Sequence, residues 1–246
     1  MHTPPTLRPL PLLPALLYFG IPTFFGYLVT WKIVPMMDRA GASPLLQFAV
    51  AASDLILILI AAFVAYGFEG NAWTWPAFRD RMRLRMPTGR GWAWAIGLAI
   101  VNVGLYIGAA TAVDALFPHQ RPPVALMKLL GDDQHFLGSP LHHAWPLLGA
   151  WVLFYLVNVF GEELWWRGII LPRQELAHGK NAWIFHGFLW AGFHISFFPT
   201  DFFVLLPCAL AYGWVCQRQR STVPGVVAHG VLNGLSGIRI LAGILH

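Results

Sequence analysis

Two adjacent carboxylates, Glu162 and Glu163, and a guanidinium four residues further on, Arg167, stand inside a long apolar run that begins near Trp145. At the centre of a membrane-spanning helix each ionisable group costs about 3 kcal/mol or more, so such groups face a cavity and mark function. On a helix Glu163 and Arg167 share one face in the favourable order, carboxylate before cation. That pairing neutralises Glu163. Glu162 points about 100° away around the same helix. It has tryptophans and no cation at i+3 and i+4, and is the carboxylate left free for chemistry. A buried carboxylate of this kind serves either acid–base catalysis or proton transfer.

Downstream, His186, Trp190 and His194 follow one another at intervals of four, so all three share one helical face. His186 reads as a helix-to-helix hydrogen bond. His194 is the candidate for the site. His229 and Asn233 repeat the spacing in the last apolar segment, beside Gly230 and Gly234, whose small-xxx-small pattern brings helices close together.

The elements that must carry these residues are apolar helices. The 246-residue chain is 57% hydrophobic and only 11% charged, with positive mean hydropathy, the balance of an all-α, polytopic transmembrane bundle around an intramembrane polar cavity. Stretches long enough for a core of about 30 Å occur at roughly 12–34, 45–68, 92–113, 145–171, 181–199, 202–217 and 223–245. That makes seven spans. Eight is the runner-up, through an apolar patch from Val124 to Leu130 that suits an interfacial or re-entrant helix. No cleavable signal peptide, repeat or linker is evident, so residues 1–246 read as one integral membrane domain with a motif-bearing core at 145–246. Cys208 and Cys216 share one apolar segment and read as packing residues.

Charge sets the orientation. Arg79, Arg81, Arg83, Arg85 and Arg90 crowd the loop after the second segment, which the positive-inside rule places in the cytoplasm. Seven spans put Arg8, Arg173, Lys180, Arg218 and Arg220 on that side and Lys32, Arg39, Arg121 and Lys128 opposite. The basic pI of 9.6 is then a topology signal, and nucleic acid is excluded as a partner in favour of the lipid bilayer. Counting about 1.5 Å per residue from the cytoplasmic ends, His194 lies about 20 Å deep, Glu162 about 15–20 Å, and His229 and Asn233 about 10–15 Å. They are expected to meet near mid-membrane, in a site open toward the cytoplasm.

Glu162-Glu163-x-x-x-Arg167, then Trp190-x-x-x-His194, then His229-x-x-x-Asn233, resembles the three signature motifs of the CPBP family, the intramembrane CAAX-processing endopeptidases and bacteriocin-processing or immunity proteins. The resemblance covers about residues 145–246. Trp190 stands where the family usually has phenylalanine, one aromatic for another. The resemblance implies a glutamate-dependent endopeptidase in which Glu162 is the general base, His194 shares its water, and His229 and Asn233 stabilise the oxyanion. Glu163 and Arg167 brace the site, or form an ordinary helix ion pair.

A metal-free mechanism without cofactor is favoured. Zinc on Glu162, His194 and His229 is the alternative, although the H-E-x-x-H helix that commonly supplies zinc ligands is absent. The implied substrate is a membrane-associated or lipidated protein or peptide, and the short chain fits a prokaryotic inner-membrane protein. Two other classes stand beside this one: a proton-coupled transporter, which would ordinarily show repeated halves, and a non-catalytic membrane partner or immunity protein. Asp54, Asn102 and Arg239 carry weaker readings, as a hydrogen-bonding or proton-linked group, interhelical glue, and a snorkelling or internally paired cation.

Overall fold

The structure, a computed structural model, describes residues 7–118 and 123–246; Arg121 lies outside them. Among the described residues the regular structure is helical except for an antiparallel hairpin of His135–Phe136 with Ser139–Pro140. In order the helices are α1 (Leu12–Leu28), α2 (Val34–Arg39), α3 (Pro44–Ala51), α4 (Ser53–Phe68), α5 (Trp75–Arg81), α6 (Gly89–Leu116), α7 (Val124–Leu130), α8 (Trp145–Glu162), α9 (Leu171–His178), α10 (Ala182–Phe193), α11 (Asp201–Gln219) and α12 (Val223–Leu245).

Among the described residues five helical stretches are long and apolar enough to cross a membrane: Leu12–Arg39, Pro44–Phe68, Gly89–Leu116, Trp145–Ser196 and Val223–Leu245. Their outward residues, such as Leu13, Leu17, Ile21 and Phe24 on α1, are large, apolar and exposed. A helix hydrophobic on both sides is what a lipid surround requires, and the bundle is consistent with an integral, multi-pass membrane protein. The stretch from Trp145 to Ser196 is folded, not straight: Gly179, at φ +57°, ends α9 and reverses the chain into α10. α7, at seven residues, is about 10 Å long and does not span. It lies across one end of the bundle with Ala125 and Leu129 buried.

Two prolines shape the helices that matter most. Val29–Ile33, between α1 and α2, and Glu163–Ile170, between α8 and α9, are widened turns of π type, and each precedes a proline, Pro35 or Pro172, by a few residues. Proline has no N–H to give the carbonyl four residues back and its ring crowds that carbonyl, so the helix widens around the gap. At Pro172 the orphaned carbonyl is that of Gly168, and the Arg81 guanidinium takes it at 2.6 Å.

The arginine-rich loop is thereby stapled to the bundle. Arg81 also forms a two-bonded pair with Glu69, Arg83 pairs in the same way with Glu175 on α9, and the Thr222 hydroxyl donates to the Met82 carbonyl at 2.7 Å. Met82 is wholly buried beneath the loop. At the other end, the His143 N–H donates to the Ile244 carbonyl, Arg239 to the Leu130 carbonyl, and Lys128 pairs with Asp38. Arg239 is thus internally paired. Asn102 departs from the reading as interhelical glue: its amide donates to Leu98 within its own helix, and only its backbone carbonyl meets a neighbour, Cys208. Both cysteines are free and buried.

Close helix contacts rest on glycine. Gly187 and Gly213 bring α10 and α11 together, and Gly161 lets α8 lie against α4, where a Cβ would stand 2.9 Å from the Leu55 carbonyl oxygen. A backbone atom cannot step aside, so Gly161→Ala is expected to cost about 1–3 kcal/mol of stability by overpacking. The check is the unfolding midpoint of the purified variant in detergent.

Candidate active site

The widened turn at 163–170 is buried along its whole length, from Glu163 through Ile170. It presents two consecutive carboxylates to two different surroundings. Glu163 is fully buried, and its Oε1 accepts from Arg167 Nη1 at 3.1 Å and from His229 Nδ1 at 3.0 Å. The expected Glu163–Arg167 pair is therefore present, and α12 joins it through His229. The Arg167 guanidinium lies 3.8 Å over the Trp190 ring and 4.9 Å from that of Tyr212. Its Nε and Nη2 have no hydrogen-bond partner among the described residues, so the aromatic faces are their remaining compensation. Glu163 Oε2 lies against Gly225, where any Cβ would collide with it.

Glu162 is buried too, but no cation pairs with it among the described residues. Its Oε1 accepts from Asn158 Nδ2 at 3.3 Å, and its Oε2 from the indole N–H groups of Trp166 at 3.3 Å and Trp190 at 2.8 Å. A carboxylate offers about four acceptor positions, so three are occupied and the vacant one is on Oε1. Asn158 in turn accepts from Asn233 Nδ2 at 2.5 Å. A directional chain thus runs from Asn233 on α12 through Asn158 to Glu162, each amide keeping one N–H unused.

His194 sits where α10 tightens into its last turn, and its Nδ1–H donates to the Trp190 carbonyl at 2.9 Å. That bond fixes the ring and leaves Nε2 with its lone pair. Glu162, His194, His229, Asn233, Asn158, Trp190 and Tyr212 all border one cavity of about 570 Å³. Its other walls are largely apolar, with Phe48, Leu55, Phe154 and Leu205 among them. The structure brings Glu162, Trp190, His194, His229 and Asn233 to one cavity, with Glu163 and Arg167 outside its lining, though no hydrogen bond joins His194 to Glu162 among the described residues. His186 stands apart, bonded through Nδ1 to Gln174 of α9 at 2.7 Å, the helix-to-helix role expected of it.

Two features escaped sequence reasoning. Asn158 joins Glu162 to Asn233 and had a legible signal, a carboxamide one helical turn before the carboxylate in an apolar run. Trp190 does more than an aromatic placeholder: its N–H reaches Glu162 while its face covers Arg167, and a phenylalanine would do only the second. Of the alternative zinc set, Glu162 Oε2 is taken by two indole N–H groups, while the Nδ1 bonds of His194 and His229 leave Nε2 of each ring without a protein partner among the described residues. No group of three or more His, Cys, Asp or Glu side chains among the described residues is arranged for a metal.

The cavity's lining reaches Leu126, Leu129 and Leu130 of α7, Phe198, and Leu235 and Ser236 of α12, toward the end of the bundle away from the arginine-rich loop.

A buried Glu163–His229 pair beside Asn158 and Asn233, inside a helical bundle, forms a polar cluster consistent with a catalytic centre. Residues 144–235 match the family model described as Type II CAAX prenyl endopeptidase Rce1-like. The match takes in all three motifs and Asn158, and leaves residues 1–143 and 236–246 outside it. No curated protein and no solved structure matches the chain.

Removing Arg167 leaves Glu163 charged in a dry site, which typically costs about 3–5 kcal/mol. Arg167→Met is expected to destabilise by that order, and the double variant Glu163→Gln with Arg167→Met to recover part of the loss, because no unpaired charge remains. Thermal unfolding of the three proteins in one detergent checks this.

Proposed function

We infer that the protein is an intramembrane endopeptidase that hydrolyses a peptide bond of a membrane-associated protein or peptide. The single observation that carries the reading is Glu162 itself: a buried carboxylate with no cation, one vacant acceptor position, and His194, His229 and Asn233 around the same cavity. The match of residues 144–235 to an endopeptidase family supports it. In this reading the chain is one membrane domain of seven spans, the folded stretch Trp145–Ser196 crossing twice, through α8–α9 and α10, and α11 adding one more, and residues 145–246 are its catalytic core.

A water held between the vacant position of Glu162 Oε1 and His194 Nε2 gives its proton to Glu162 as its oxygen attacks the scissile carbonyl carbon. Negative charge gathers on the carbonyl oxygen. Asn233 donates to it through the amide hydrogen not spent on Asn158, and His229 through Nε2 when the ring carries both protons. Collapse of the tetrahedral intermediate breaks the C–N bond, and Glu162 returns the proton to the leaving amine. Glu163 and Arg167 act one step back, holding the His229 ring and the Trp190 indole in place.

Glu162→Gln is nearly isosteric and is expected to abolish cleavage while the protein stays folded. Comparing membrane-protein termini in cells expressing either form at equal abundance reads this directly. Identical termini in the native host would reject the peptidase and favour a transporter, whose flux in proteoliposomes Glu162→Gln should stop, or a binding partner, whose cellular phenotype the substitution should spare. Asn233→Ala, by removing one oxyanion donor, is expected to lower kcat by about 10²–10³-fold.

A further inference from the structure

We propose that Asp201 forms a subsite for a positively charged side chain, so that the substrate is a peptide with a lysine or arginine within about four residues of the bond that is cut. This rests on the peptidase reading above for the cut itself, while the charge preference stands on separate observations.

The first is the cavity's imbalance of charge. Its lining includes two carboxylates, Glu162 and Asp201, and no lysine or arginine. Most acidic residues elsewhere, Glu69, Glu163 and Glu175 among them, have a basic partner. Neither cavity carboxylate pairs with a lysine or arginine among the described residues. Glu162 is at least held by three neutral N–H donors, whereas Asp201, at the start of α11, has no hydrogen bond to its side chain among the described residues. An ionised carboxylate on a largely apolar wall is costly without a counter-charge. A cation carried in by the ligand removes that cost and gains charge-assisted hydrogen bonds.

The second is the neighbouring wall. Helices α6 and α11 run side by side in opposite directions, with Trp94 against Trp214, the Asn102 carbonyl on Cys208 Sγ, and Phe117 stacked on Phe203. This pairing sets Tyr106 of α6 in the lining of the same cavity as Asp201. The tyrosine is 39% exposed. Its ring face attracts a cation and its oxygen accepts a hydrogen bond. A carboxylate with an aromatic ring is the composition that suits an ammonium or a guanidinium.

The third is position. The His194 carbonyl accepts from the N–H groups of Phe197 and Phe198, and the Phe198 carbonyl accepts from Asp201 N–H. Two successive turns of under about 7 Å each put the Asp201 backbone within about 14 Å of His194. An extended peptide, at about 3.3 Å per residue, covers that distance in about four residues. An endopeptidase cuts inside a chain, so the cation belongs to a side chain and not to a free N-terminus. An aspartate in the first turn of α11 also opposes the helix dipole. That role affects stability and creates no preference among peptides, which is how the experiment separates the two.

The test starts from Glu162→Gln, which removes both turnover and the other cavity carboxylate. The full chain is placed in nanodiscs of zwitterionic lipid, and fluorescent apolar peptides blocked at both ends are bound to it, with one position in turn lysine, norleucine or glutamate. By anisotropy, lysine at its best position is expected to bind at least about tenfold tighter than norleucine, and glutamate no better than norleucine. Adding Asp201→Asn should bring the lysine-to-norleucine ratio to about one, and Asp201→Glu should keep it high. No preference for lysine, the same preference with Asp201→Asn, or no binding of any peptide overturns the proposal. In the second arm the wild-type protein is given the same peptides. Lysine should lower KM, with the cut within about four residues of it, and a cut site indifferent to the lysine overturns the proposal. A lysine preference that depends on Asp201, with no peptide cleaved by the wild type, rejects the peptidase reading while the cation subsite stands.

Discussion

The buried pair of Glu163 and Arg167 is the interaction on which the rest depends. Both side chains are wholly removed from solvent, and neither is fully hydrogen-bonded. A charge so placed is tolerable only beside its partner, and that requirement fixes the α8–α9 turn, the ring of Trp190 from α10, Tyr212 from α11 and His229 from α12 around one point. Four segments far apart in the chain are thus held in register by one electrostatic constraint. Its geometry also decides which carboxylate is structural and which is left with room for a water.

The second organising device is the widened turn itself. A regular helix through 163–170 would meet Pro172 with an unpaired Gly168 carbonyl inside a bundle that offers little water. The widening relieves the clash, and Arg81 supplies the missing donor from a loop nearly ninety positions earlier. One arginine thereby closes the end of the bundle, satisfies a helix defect beneath the site and contributes to the charge asymmetry. Glu162 and the cavity lie on the far side of this plug.

Around Glu162 the donors are neutral: two indoles and one amide. Neutral donors orient a carboxylate without quenching it as a guanidinium at the same distance would. The neighbouring Glu163 shows the other case. Two residues of one type, adjacent in sequence, are given different chemistry by which side of the helix each faces.

Much of this was readable before any coordinates. An apolar run long enough to span and the cost of charge within it mark the helices, and intervals of four select the faces, so Glu162, Glu163, Arg167, His194, His229 and Asn233 follow from residue type and spacing. The pairing of Glu163 with Arg167 and the interhelical role of His186 follow in the same way, because helical periodicity is a local rule. What periodicity does not carry is contact between segments. That Trp190 donates to Glu162, that Asn158 relays Asn233 to it, and that Asn102 bonds within its own helix were decided only by packing. Depths counted along separate helices say how far each residue lies from an end, and not which side chains meet. The contact of Met82 and Arg81 with Gly168, four residues before a proline on a distant helix, is of that kind, and no local pattern in the chain records it.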